Sequence, residues 1–131
     1  MLPEKTTDRT AAKKVAMNML ERAKTMMEVS ISGLQHEQTA IANHCAFYAI
    51  SNAMRACLAY EAKFSRNRDE TFQMFRRDFL RSGVFPGDLE PKIAYTLEVH
   101  LGLSDEDYYL YTIEQMHTAM DLIRNVQEYL S

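Results

Sequence analysis

Tryptophan is absent from the 131 residues, and glycine (4), proline (3) and cysteine (2) are scarce. So few breakers exclude collagen-like and low-complexity architectures. Two cysteines cannot build a disulfide scaffold. No apolar run reaches the roughly 18 residues that a membrane span needs. The opening Met1, Leu2, Pro3, Glu4, Lys5 turns polar at once and has no apolar stretch of the signal-peptide kind. The expectation is a cytoplasmic protein whose Cys45 and Cys57 are reduced thiols filling core space. There is also no glycine-rich phosphate loop and no Gly-x-Ser-x-Gly elbow. His36, His44, His100 and His117 include no pair three or four apart, so helical zinc pairing is missing. No metal and no cofactor is expected.

A strong charge of one sign is lacking as well. The formal net charge is -3, from 15 basic and 18 acidic residues, which gives no bulk attraction for nucleic acid. The distribution is uneven. Residues 1–54 carry +1, residues 55–83 carry +3 and residues 84–131 carry -7. Arg66, Arg68, Arg76, Arg77 and Arg81 could follow a phosphate backbone, or form a solvated cationic face.

What is present is helix-forming sequence. Apolar residues make up 47% of the chain, enough for one domain, 1–131, with its own core. A first helix is expected from about Asp8 to Ser30, capped by Thr7 or Asp8, with Ala12, Val15, Ala16, Met19, Leu20, Ala23, Met26 and Met27 as its apolar positions. A second runs from about Glu37 to Tyr60. It is apolar nearly all round, as in a helix central to its bundle or shared with a second chain. A third, from about Asp69 to Arg81, carries Phe72, Phe75, Phe79 and Leu80 as a core stripe and stops at Gly83. A fourth runs from about Leu89 to Leu101, with Gly102 as its stop. Leu103 to Tyr111 reads as a connection bearing Asp105, Glu106 and Asp107. The last helix is expected to open on a capping box from Thr112 to Gln115. The fold class is therefore all-α, an up-and-down bundle of about five helices.

The run from Ala42 through Asn43, His44, Phe47, Tyr48, Ser51, Asn52 and Arg55 to Leu58 resembles the second helix of small HEPN-domain proteins. Phe75, Phe79 and Gly83, then the Asp107–Tyr108 pair, continue the likeness in order, over about residues 8–130. The resemblance implies a helical bundle that dimerises through an apolar helical face. It implies either a metal-independent ribonuclease or a noncatalytic binding module, some members being paired with a minimal nucleotidyltransferase. The ribonuclease members carry an Arg, a polar residue and then a His after four to six intervening residues. No histidine here has an arginine at that spacing. A family arginine falls on Leu103, and a histidine falls near Arg68. The expectation is thus a noncatalytic HEPN-like homodimer that binds RNA, a nucleotide or a protein, in a toxin–antitoxin or defence-type setting. Its candidate binding residues are Tyr48, Asn52, Arg55, Arg68, Asp107 and Tyr108. The alternative is a ribonuclease with a displaced site, using His100 or His44 as base with Arg55 and Arg68 as cations. For Arg55 a structural role is also open, an ion pair with Glu98 or Asp107.

Overall fold

Alanine decides the architecture. α2 (Thr39–Tyr60) buries Ala42, Ala46, Ala49, Ala53, Ala56 and Ala59 along with Ile50, Met54 and Leu58. Side chains this short let neighbouring helices approach on several sides. In the computed structural model, which describes residues 5–98 and 102–131, α2 is the central helix. It packs against α1 (Lys5–Gln35), α5 (Asp105–Leu130) and α3 (Arg68–Phe75). α4 (Leu89–Leu97) closes one end against α5. The result is an all-α bundle of five helices with no strand among the described residues.

α2 is thus central to its own bundle, one of the two settings expected of so apolar a helix, while its Ile41 and Tyr48 stay exposed. Its two thiols, Cys45 and Cys57, are buried and unpaired. Burial, and then the nearby Glu61 charge, push the Cys57 thiol well above its ordinary range.

Five expected boundaries move. α1 begins at Lys5, ahead of the expected caps Thr7 and Asp8. It also runs on to Gln35, past Ser30 and Gly33. Ser30 does not stop the helix, because its hydroxyl is buried and donates to the Ala42 carbonyl at 2.6 Å. Gly33 lets the chains converge there: a Cβ on it would sit 3.3 Å from the Ala42 amide nitrogen. Glu37, at φ 60, then turns the chain into α2.

The third helix is not regular to Arg81. α3 gives way to a π-helical turn over Arg76–Leu80, in which the Arg81 amide donates to the Arg76 carbonyl at 2.8 Å. The turn serves the aromatic stripe. Phe75 and Phe79 stack at 5.3 Å, Phe85 stacks on Phe79 at 5.8 Å, and Tyr129 meets Phe85 edge-on at 5.6 Å. Gly83, at φ 85, takes the left-handed conformation expected of it.

α4 ends at Leu97, short of the expected Leu101. Leu101, and with it the candidate His100, lies outside the described residues. α5 starts at Asp105 rather than Thr112. The Ser104 hydroxyl accepts from the Asp107 amide at 3.1 Å, so Ser104 is the cap. Asp105, Glu106 and Asp107 form its first turn, where the helix dipole favours negative charge. Thr112 lies inside the helix, its hydroxyl donating to the Tyr108 carbonyl at 2.9 Å.

Candidate functional site

The early start of α5 is what makes a site. It brings Tyr108, Tyr111 and Gln115 on one helical stripe opposite the first half of α2 and the end of α4. Together they form a cleft of about 280 Å³, lined on the α2 side by Asn43, His44 and Phe47, and by Glu98 and Leu103 across from them. Arg68, the first residue of α3, reaches into the same cleft. Its guanidinium lies 4.3 Å from the centroid of the Phe47 ring, a cation–π contact that fixes it in place.

Several wall groups are committed. The Asn43 amide donates to the Thr112 hydroxyl at 3.1 Å. The Tyr111 hydroxyl donates to the Thr96 carbonyl at 3.0 Å, tying α4 to α5. Desolvation raises the Tyr111 phenol to about 12, helped by Tyr95 and Glu98. Gln115 is different. It is 1% exposed, yet its carboxamide oxygen meets no donor. A buried amide oxygen without a partner is costly, so Gln115 offers the cleft an acceptor that no donor among the described residues uses.

The cationic face looks different once its partners are seen. Arg66 pairs with Glu70 at 3.4 Å, Arg77 with Asp78 at 2.7 Å, and Arg81 with Glu90 at 3.3 Å. Arg76 donates to the Gln73 carboxamide and stacks on Phe72. Of the five arginines, Arg68 alone has no acidic or amide partner among the described residues.

The other sequence candidates scatter. Tyr48 is exposed on the open side of α2, edge-on to His44 with ring centroids 4.7 Å apart. Asn52 is half-buried one turn further on. Asp107 is exposed in the first turn of α5 beside the cleft, while Tyr108 lines it. Arg55 lies roughly three turns along α2 from Asn43, in a separate pocket with Met19, Leu58 and Phe64. The suggested ion pair of Arg55 with Glu98 or Asp107 is therefore not formed. Those acids belong to the opposite end of the helix.

Gln115 was missed as a site residue because it was read as part of a cap. With α5 begun at Ser104, the same sequence places it one helical turn past Tyr111. A larger concavity of about 640 Å³ lies between α4 and α5, lined by Tyr95, Glu114, His117 and Met120. It holds no buried unsatisfied atom, and Lys92 and Asp121 on its wall pair with Asp88 and Arg124. No three His, Cys, Asp or Glu side chains among the described residues gather where they could hold a metal ion. No helix among them is long and apolar enough to cross a membrane.

Fold and site together define an all-α bundle with an open polar cleft beside its central helix. Comparison with models of protein families, with curated proteins and with solved structures finds no match.

Proposed function

We propose that the chain is a noncatalytic binding module of HEPN-like build, cytoplasmic, and that its cleft takes one nucleotide of single-stranded RNA. The observation that carries this reading is the unsatisfied Gln115 oxygen beside Arg68. A base edge supplies the N–H that Gln115 lacks. Among the described residues Arg68 forms no ion pair, although Glu98 lines the same cleft, and its guanidinium suits a phosphate. The Tyr108 ring gives a face for a base to lie on, beside the Phe47 ring that Arg68 already covers on one face. A homodimer and a nucleotidyltransferase partner, in a toxin–antitoxin or defence-type system, belong to the same proposal through the motif resemblance of α2 and α3. Ile41 and Tyr48, each 46% exposed and seven residues apart on one side of α2, support a pairing surface.

The test is fluorescence anisotropy of a short labelled oligoadenylate, titrated with the protein at several salt concentrations. Binding should saturate and weaken as salt rises, with a slope corresponding to about one phosphate contact. Arg68→Ala and Gln115→Leu should each weaken it about tenfold. An absence of binding at low salt rejects the reading.

One observation favours the ribonuclease alternative: His44 and Arg68 line the same cleft. An imidazole base and a cation are the groups that a metal-independent cleavage needs. RNA cleaved in the presence of EDTA, and left intact by His44→Ala, would replace the binding module with an enzyme.

A further inference from the structure

A second unsatisfied group lies at the other end of α2. The Nε of Arg55 is buried and meets no acceptor, and among the described residues its guanidinium forms no ion pair. Arginine stays charged at any pH a protein tolerates. A cation with a buried N–H and no partner is a worse defect than an unpaired amide. The pocket around it, about 220 Å³, is lined by Met19, Leu58, Lys63, Phe64 and Ser65.

The neighbouring polar groups are already engaged. The Lys63 ammonium pairs with Asp78 at 2.8 Å, and the Ser65 hydroxyl shares a hydrogen bond with Thr71 at 2.5 Å. Among the described residues that leaves the Arg55 charge without an ion-pair partner, in a pocket that Met19 and Leu58 help to line. Phe64 stands at the rim, 71% exposed.

From this we propose that the Arg55 pocket binds a monocarboxylate with a short apolar body. The carboxylate lies against the guanidinium fork, whose planar geometry matches it. The apolar body lies between Met19, Leu58 and Phe64. A single charge fits better than a phosphate dianion, because Asp78 has taken the second cation. The pocket is smaller than those that enclose drug-sized ligands, so the body is short. This site shares no lining residue with the Arg68 cleft and does not rest on the reading of that cleft.

The experiment is an amide-resonance titration of the full chain with hexanoate, beside hexan-1-ol and inorganic phosphate. Hexanoate should move the resonances of Met19 and of Leu58–Ser65 saturably, with a Kd of about a millimolar. Arg55→Gln should weaken this about tenfold or more, Arg55→Lys less. Phe64→Ser, a change at an exposed position, should weaken it severalfold while leaving Tm unchanged. Hexanol should bind at least about tenfold more weakly than hexanoate. No saturable shift with hexanoate, or equal shifts in Arg55→Gln, overturns the proposal. Phosphate binding as tightly as hexanoate overturns it too. Arg55-dependent self-association without acid binding would also overturn it, the carboxylate then coming from a second copy of the chain.

Discussion

Where α1, α2 and α5 meet, the contact is made by alanines, by Leu20, Ile50, Leu122 and Val126, and by hydroxyls that have found partners. Ser30 donates to Ala42, and Thr112 to Tyr108. Where α3, the π-helical turn and α4 meet the bundle, the contact is made by rings: Phe75, Phe79, Phe85 and Tyr129. Small residues let helices close on one another along their length and leave few gaps. Rings need room, and the chain accommodates them with a π turn and two long connections. Both buried unsatisfied atoms, on Gln115 and Arg55, border pockets that α3, α4 or the 61–67 connection helps to line. In this protein the candidate chemistry lies at the seam between a finished core and a looser cap.

The sharpest way to test that contrast is to damage the core. Leu122 is fully buried on α5. Leu122→Ala should cost about 3 kcal/mol, from lost transfer energy and the cavity left behind. Leu110→Ala, on the same helix but 54% exposed, should stay within about 0.5 kcal/mol. Urea denaturation of both variants measures the difference. If Leu122→Ala costs no more than Leu110→Ala, the α1–α2–α5 half is not the closed core described here.

The same contrast explains what could be read beforehand. The buried stripes of α1, α2 and α3 were legible because periodic apolar residues have one good use. Phe72, Phe75, Phe79 and Leu80 are all buried as their spacing predicts. The misreadings concern residues with two uses. Ser30 and Gly33 look like a helix stop, yet both sit against the Ala42 backbone where α1 meets α2. Thr112 with Gln115 has the spacing of a capping box, and so does Ser104 with Asp107. Only the second begins a helix, because Thr112 is needed by Asn43 across the bundle. Long-range partners of this kind are invisible in a local pattern. The candidate site suffered most. Arg68 and Tyr108 do share a cleft, but Arg55 and Tyr48 point elsewhere, and Gln115 was hidden inside the misread cap.

A second prediction probes the looser side through pH. Hydrogen bonds from Arg77 and Lys63 hold the Asp78 carboxyl at about 2, below its usual range. A carboxylate depressed in the folded state stabilises above its unfolded value of about 4. The benefit is lost as pH falls from about 4 towards 2. Arg77 is well exposed, so screening keeps the contribution small. The stability difference between wild type and Asp78→Asn should therefore be present at pH 7 and vanish by about pH 2. A difference that persists at pH 2 would show that Asp78 acts through shape rather than charge.

The smallest expected effect separates an incomplete site from a merely polar one. In the ligand-free protein the Gln115 oxygen gains nothing from burial, so an apolar side chain of similar size removes a desolvation cost without breaking a bond. Gln115→Leu should leave stability unchanged or raise it by up to about 1 kcal/mol. Thr112→Val, one turn away, should lower it by about 1 kcal/mol, because the Asn43 amide loses its acceptor. Thermal unfolding of the two variants side by side gives the answer. Stability traded for an open valence is what a binding cleft shows and a structural hydrogen bond does not. If Gln115→Leu instead costs as much as Thr112→Val, the carboxamide is paired in solution, and the proposed binding role of the cleft loses the observation that carries it.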